Sequence, residues 1–187
     1  MNDESPSTHD ASSTATRLVD DVDREETVAL LQSLVRIESP YFHEDDVTRF
    51  VHEWLDDRAC DPWFHDVSEP DVTGYEGRNV LARIEGEDPD APTLMLNGHV
   101  DTVELVDEWT EDPLSGRIED GRLYGQGAAD MKAGLAAAMV AVSALAEADV
   151  DLAGDVVLAA VVDEEGPYGL GTDQLLRDGA VDDCDMA

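Results

Sequence analysis

Apolar residues recur with helical spacing in two segments near the start of the chain. In the segment from Glu44 to Ala59 they fall at positions i, i+3, i+4, i+7 and i+8, as Val47, Phe50, Val51, Trp54 and Leu55. The segment from Arg24 to Ile37 carries a similar stripe, and Ser39 and Pro40 end it. This pattern predicts two amphipathic helices whose apolar faces pack against a sheet.

Shorter apolar runs between turn residues predict the strands of that sheet. Two of them, Pro62–Val67 and Asn79–Ile84, are separated by a glycine-containing turn. The runs at Thr93–Asn97 and Asp155–Val162 are apolar almost throughout, which is typical of buried strands. The remaining predicted elements are two short strands and two helices, around Arg117, around Arg122, at Met131–Ala146 and at Gly171–Arg177.

The order of these elements, with a helix between two buried strands, predicts an α/β layer fold with at least partly parallel strands. No internal repeat or linker divides the chain. We therefore predict one domain over residues 21–187, preceded by a flexible acidic tail over residues 1–20. In open α/β sheets ligands bind beyond the carboxyl ends of the strands, so functional residues are expected there.

The charge is strongly negative, with 45 Asp plus Glu against 11 Lys plus Arg and a formal net charge of -34. This balance excludes a basic surface for nucleic acid. The chain is not predicted to be disordered, because acidic disordered segments lack such apolar patterning. In molar salt the Debye length falls to about 3 Å and surface carboxylates no longer repel at range. We interpret the composition, in which Lys132 is the only lysine, as halophilic.

The expected cellular location follows from features that the sequence lacks. Cys60 and Cys184 are too few for a disulfide framework, and the N-terminus has no basic start or apolar run of a secretory signal. The longest apolar stretch, Ala133–Ala146, is shorter than the roughly 20 residues of a membrane span. We expect a soluble, cytoplasmic protein without membrane partners.

Polar side chains follow both buried strands at the point where each strand ends. His99 and Asp101 come directly after the first strand. Glu164 and Glu165 follow the second, and Asp130 starts the helix between the two. Imidazole and carboxylate groups together suit a borderline metal such as zinc. Acidic pairs are common in this chain, but these residues follow apolar strands and glycine turns, where an unpaired charge is costly.

Three segments around these residues carry a resemblance to a known family. They are LNGHVDTV at Leu96–Val103, LYGQGAADMKAG at Leu123–Gly134 and DEEG at Asp163–Gly166. In order and separation they resemble the N-terminal motifs of the zinc aminopeptidase-like hydrolases, which include acetylornithine deacetylase, succinyl-diaminopimelate desuccinylase, aminoacylase and glutamate carboxypeptidase. The resemblance implies a three-layer sandwich with a mixed, largely parallel sheet, and a homodimer for the full-length form.

The resemblance also implies a role for each candidate residue. His99 resembles the ligand of one metal ion, and Asp101 the carboxylate that orients its ring. Asp130 resembles the ligand that bridges two ions, with a cis peptide bond after it. Glu164 resembles the general base, and Glu165 a ligand of the second ion. The implied cofactors are two Zn²⁺ ions, for which Co²⁺ can substitute.

Two departures from the family pattern affect these expectations. Gln126 stands where the family usually has Arg, which changes the contacts around the second motif. The family also has a later acidic ligand, a last His ligand and a lid or dimerisation domain, none of which is found up to Ala187, and Asp185 is rejected as a substitute. We therefore expect the N-terminal portion of a dinuclear hydrolase, with weak metal binding and little activity alone.

The reaction implied by the resemblance is hydrolysis of the amide bond of an N-acyl amino acid. The alternatives are a dipeptidase, tripeptidase or carboxypeptidase of the same family, and a non-catalytic remnant that acts only by binding. The expected partners are therefore small N-acyl amino acids or peptides. His43, His52 and His65 are interpreted as structural residues rather than metal ligands, and no motif supports a serine or thiol nucleophile.

Overall fold

A computed structural model describes residue 16, residues 18–19, residues 22–148 and residues 150–187. Most of the predicted N-terminal tail therefore lies outside the described residues. In chain order the main elements are α1 (Arg24–Arg36), α2 (Asp45–Asp56), β1 (Trp63–Glu69), β2 (Tyr75–Ile84), β3 (Leu94–His99), β4 (Arg117–Glu119), β5 (Arg122–Tyr124), α3 (Ala133–Glu147), β6 (Val156–Val161) and α4 (Leu170–Arg177). Each predicted helix and strand is found, with its ends shifted by a few residues.

The main sheet is mixed and has the strand order β1-β2-β6-β3. Strand β2 pairs antiparallel with both β1 and β6, whereas β3 and β6 are parallel. The α/β class and the mixed sheet are confirmed, but among the described strands the parallel share is smaller than predicted. The physical reason is that β1 and β2 are joined by a short connection, which permits only antiparallel pairing. At the shared carboxyl edge of the parallel pair, His99 lies opposite Val161.

Helices cover both faces of this sheet and form the predicted three layers. On one face, α1, α2 and α3 bury a shared core that includes Leu34, Val51, Leu135 and Met139. On the other face, α4 packs against the sheet through Leu175. Strand β6 serves both cores, because successive side chains of a strand point to opposite faces. Leu158 and Ala160 belong to the first core, and Ala159 and Val161 to the second.

Helix α3 connects the two parallel strands and lies on the sheet between them and α1. With the preceding turn it forms the segment Ala128–Glu147. Its length of 20 residues and its mean hydropathy of 1.4 would be sufficient to cross a membrane. Among the described residues one such segment is found, which is weak evidence for a span, because core helices have the same properties. Leu135, Met139 and Val142 are fully buried, so packing in the core accounts for these apolar residues.

Two neighbouring leucines on α4 provide a test of the second core. Leu175 is 1% exposed, whereas Leu176 is 63% exposed. We expect Leu175→Ala to lower the free energy of unfolding by about 2–5 kcal/mol, because it removes buried methyl groups and leaves a cavity. Leu176→Ala is the matched control and should change it by less than about 0.5 kcal/mol. Denaturant unfolding in molar KCl measures both, and equal effects would contradict the assignment of α4 to a buried layer.

Candidate metal centre

The first part of the site follows from the end of β3. His99 closes the strand and is 4% exposed, and Asp101 is fully buried two residues later. His99 Nδ1 lies 3.0 Å from the backbone oxygen of Asp101 and 3.4 Å from Oδ1 of its carboxylate. Because both neighbours are acceptors, Nδ1 carries a ring proton and Nε2 is left to face the other carboxylates. The backbone oxygen of Asp101 therefore orients the ring together with its side chain.

The second part is the wide turn that precedes α3. Asp130 and Met131 depart from helical backbone angles within the turn Ala128–Lys132, and the peptide bond between them is cis. The cis bond implied by the family resemblance is thus confirmed. The turn directs the Asp130 carboxylate towards His99, with its Oδ1 3.2 Å from Nε2. The Asp130 side chain is 82% exposed, so it borders the open side of the site.

The third part follows β6, where the chain bends at Asp163. This residue has a φ of 54°, a left-handed conformation that Asp adopts more readily than most residues. After the bend, Glu164 Oε2 lies 3.6 Å from His99 Nε2, and the Glu165 N–H donates to Asp101 Oδ2 at 2.9 Å. His99, Glu164 and Glu165 each offer a ligand atom within 4.8 Å of the others. All five predicted site residues therefore meet at one edge of the sheet.

The groups around His99 Nε2 are acceptors, so the site favours a cation. With Nδ1 protonated, the Nε2 lone pair would face the Asp130 and Glu164 carboxylates unless a proton or metal ion lay between them. Burial opposes a charged ring, but the Asp101 and Asp130 carboxylates outweigh it and raise the pKa of His99 to about 9. Burial also raises the pKa of Glu165, with Asp130 and Glu164 nearby. Imidazole and carboxylates are ligands that zinc accepts, so these residues fit a metal ion.

The only lysine of the chain is buried beneath the turn. Lys132 is 1% exposed, and its Nζ donates to the backbone oxygens of Leu34 and Ile37 at 2.9 Å each. Both oxygens lie at the C-terminal end of α1, where the last carbonyl groups lack the usual i+4 N–H partners, and the Leu34 oxygen also accepts from the Ile37 N–H at 3.2 Å. Burial lowers the pKa of Lys132 to about 8, and the Asp101 carboxylate opposes this shift. The sequence signalled this residue by its uniqueness and its place in the second motif, but its role was not predicted.

A second buried acid supports the bend at Asp163. Glu44 is 3% exposed, and its carboxylate accepts from the Tyr75 hydroxyl at 2.9 Å and from the Asp163 N–H at 3.1 Å. Asp163 Oδ2 in turn accepts from the Leu170 N–H at 3.1 Å, where α4 begins. Burial raises the pKa of Glu44 to about 7, although the hydrogen bond from Tyr75 opposes the rise. Sequence analysis missed Glu44 because one more acid before a helix carries no signal in so acidic a chain.

Other candidate ligands lie away from this cluster. Asp185 accepts from the Thr93 N–H at 2.9 Å, at the opposite end of β3 from His99, which agrees with its rejection as a ligand. His65 Nε2 lies 3.1 Å from Asp178 Oδ2, and His52 stacks on an aromatic ring at 4.4 Å. The structural interpretation of these two histidines therefore has direct contacts to support it.

Comparison with known proteins assigns this geometry to a family. Residues 95–186 match peptidase family M20/M25/M40. The chain is 44% identical over 100 residues to succinyl-diaminopimelate desuccinylase of Rhodospirillum centenum, and this alignment covers 52% of this chain and 25% of that protein. It is 34% identical over 146 residues to N-formyl-4-amino-5-aminomethyl-2-methylpyrimidine deformylase of Bacillus subtilis, and this alignment covers 76% of this chain and 33% of that protein. The chain therefore carries a domain of the M20 family, and the family predicted from the three motifs is confirmed.

Solved structures have the same fold. Human carnosine dipeptidase 1 aligns with a TM-score of 0.70 and 24% identity, covering 87% of this chain and 37% of that chain. A di-peptidase of Saccharomyces cerevisiae aligns with a TM-score of 0.73 and 20% identity, covering 91% of this chain and 40% of that chain. At these identities the likeness concerns the fold. The chain spans about a quarter to a third of the length of the curated relatives described above.

The buried Glu44 carboxyl predicts a specific dependence of stability on pH. Its pKa is raised from 4.5 to about 7 in the folded protein, so folding stability falls as pH rises between these values. Glu44→Gln has the same shape and no charge, so its stability lacks this pH dependence. The unfolding free energy of the variant minus that of the wild type should therefore rise by about 3 kcal/mol from pH 4.5 to pH 8. Denaturant unfolding at both pH values measures this difference. Glu53→Gln, at an exposed site on α2, is the control, and a difference independent of pH would contradict the prediction.

Proposed function

We propose that this chain supplies the metal centre of a metal-dependent hydrolase that cleaves amide bonds. The observation that carries the proposal is that the carboxylates of Asp130 and Glu164 converge on Nε2 of His99, at the shared edge of β3 and β6. The relatives are named as a desuccinylase, a deformylase and dipeptidases, and this range supports amide hydrolysis as the common reaction.

In the proposed reaction the residues of the site divide into metal ligands, a positioning residue and a base. His99 and Glu165 would each hold one metal ion, and Asp130 would be a ligand shared by both. When bound, the ions lower the pKa of a water molecule and polarise the substrate carbonyl. Asp101 keeps the His99 ring turned so that Nε2 faces the ligand side. Glu164 is 57% exposed, which suits a base that takes a proton from water and delivers it to the leaving amine.

The finer proposal is a site for two Zn²⁺ ions that acts on an N-acyl amino acid. The desuccinylase and the deformylase, which are both at least 34% identical to the chain over the matched residues, each remove an acyl group by name. A Bacillus subtilis structure described as a dinuclear metal binding peptidase of the M20 family shares the fold, with a TM-score of 0.55 and 21% identity. Because the net charge is -34, we also propose that the protein acts in molar salt, and the experiments below use molar KCl.

Metal uptake tests the proposed ligands directly. Within the described residues each ion has one ligand of its own and the shared Asp130, whereas catalytic zinc normally has three protein ligands. We therefore expect weak zinc uptake by the 187-residue chain in isothermal titration calorimetry. Asp130→Ala should reduce it further because it removes the shared ligand, and Asp56→Ala on α2 is the exposed control. Tight uptake of two ions, abolished by Asp130→Ala, would contradict the expected incomplete ligand set.

Hydrolysis tests the proposed reaction. At saturating zinc, we expect N-acetyl amino acids to be cleaved faster than dipeptides with the same amine. Glu164→Gln should lower kcat by about 10²–10⁴-fold with little change in KM, because the side chain keeps its shape and loses its basicity. Glu53→Gln should leave both constants unchanged. Little activity is expected of this chain alone, so cleavage is measured above the background of Asp130→Ala. Cleavage of neither class above this background supports the non-catalytic alternative, and faster cleavage of dipeptides would favour a peptidase.

A further inference from the structure

A pocket opens beside the metal centre. It has a volume of about 430 Å³ and is bounded by the loop after β3, the turn before α3 and the bend after β6. Asp130 and Glu165 line the pocket where it meets the metal centre. A group bound in the pocket therefore lies next to the place where the substrate carbonyl is proposed to react. The volume falls in the range of small-molecule sites.

One wall of the pocket is apolar and partly exposed. Val103, Val106 and Trp109 line it and are 51%, 56% and 41% exposed. Ala128 and Ala129 contribute further small apolar groups from the turn. Apolar side chains that remain exposed in a concave surface next to convergent polar groups are typical of a ligand site. The wall therefore offers apolar contact to whatever occupies the pocket.

Gln126 holds this wall in position. It is 6% exposed, and its Nε2 donates to the backbone oxygens of Val103 at 2.6 Å and Glu104 at 3.3 Å. Its Oε1 accepts from the indole N–H of Trp109 at 3.1 Å. An amide can donate on one side and accept on the other, whereas the Arg found at this place in the family resemblance has no acceptor. Gln126 is therefore a positioning residue for Trp109.

The charged side chains that line the pocket are all acidic. They are Glu104, Asp130 and Glu165, and no Lys or Arg lines the pocket in the part of the chain that the structure describes. Asp130 and Glu165 are proposed to hold the metal ions, so the remaining acid of the lining is Glu104. A carboxylate at the far end of an acyl group would meet Glu104 and the apolar wall without a cationic side chain to pair with, which is unfavourable. An alkyl chain would instead be covered by Val103 and Trp109, and each buried methylene contributes about fourfold in affinity.

We propose that this pocket binds the acyl group of the substrate, and that this group is a short uncharged alkyl chain rather than a dicarboxylic acyl group such as succinyl. The inference rests on the proposed function, because amide hydrolysis is what brings an acyl group to Asp130 and Glu165. Trp109 supplies the apolar surface, and Gln126 sets the position of that surface.

Binding of small amides tests the pocket without metal or turnover. Pentanamide carries an alkyl chain, and succinamate ends a similar chain in a carboxylate. The reporter is the NMR signal of the Trp109 indole N–H, assigned by its loss in Trp109→Phe. In molar KCl we expect pentanamide to shift this signal and to bind about tenfold more tightly than succinamate.

Two variants test whether binding depends on Trp109 as positioned by Gln126, or on any exposed tryptophan. Gln126→Met keeps the length of the side chain and removes the acceptor. We expect it to move the Trp109 indole signal before any ligand is added and to weaken pentanamide binding by about tenfold. Trp63→Phe replaces a tryptophan with a matched exposure of 42% on β1 and should leave the titration unchanged. Equal or tighter binding of succinamate, or no shift of the Trp109 signal, would overturn the inference.

Turnover distinguishes failure of this inference from failure of the proposed function. On zinc-loaded protein, kcat/KM should be about tenfold higher for N-pentanoyl-L-methionine than for N-succinyl-L-methionine. Gln126→Met should reduce this preference mainly through KM. Preferred hydrolysis of the succinyl compound would overturn the inference while supporting the proposed hydrolysis. If neither compound is hydrolysed above the background of Asp130→Ala, the proposed hydrolysis fails and the assignment of the pocket to an acyl group fails with it. Selective amide binding would then remain as evidence for the pocket's apolar preference.

Discussion

The geometry of the metal centre depends on one buried carboxylate, that of Asp101. It lies between the ends of the two parallel strands and contacts the residues that follow both. Its Oδ2 accepts from the Glu165 N–H, and its Oδ1, which has no hydrogen-bond partner among the described residues, lies 3.4 Å from His99 Nδ1. The backbone oxygen of the same residue lies closer to that nitrogen. A single acid therefore fixes the orientation of His99 and the position of Glu165 relative to each other.

Such an acid is costly to bury, and Lys132 offsets part of this cost. The Asp101 carboxylate attracts the Lys132 ammonium and so opposes the lowering of the lysine pKa by burial. The same ammonium donates to Leu34 and Ile37, so the end of α1 is attached to the turn that carries Asp130. A helix end, a turn and a strand end are thereby held together by charges that would be unfavourable alone.

Most of the fold and the position of the site could be predicted from the sequence, because both follow from local patterns. The stripe on α2 and the apolar runs of β3 and β6 identify the elements, and the ends of the two strands locate His99 and Glu164. The strand pairing was less accessible. Strand β6 lies between β2 and β3 and runs antiparallel to one and parallel to the other, an arrangement set by contacts between distant parts of the chain. Gln126 illustrates the same limit, because its contacts with Trp109 depend on how two loops meet.

The supporting acids were hidden for a related reason. The chain has 45 acidic residues, and a carboxylate acquires a particular role through burial and through its partners rather than through its type. Asp101 was found because a motif contains it, whereas Glu44 and the contacts of Asp163 emerged only in three dimensions. Salt acts differently on the exposed acids of the surface and on the buried acids around the site. Screening weakens repulsion between exposed carboxylates separated by more than a Debye length and changes short buried contacts much less. We therefore propose that salt favours folding by screening the exposed acids, while the buried hydrogen bonds of Asp101 and Glu44 determine the geometry of the site.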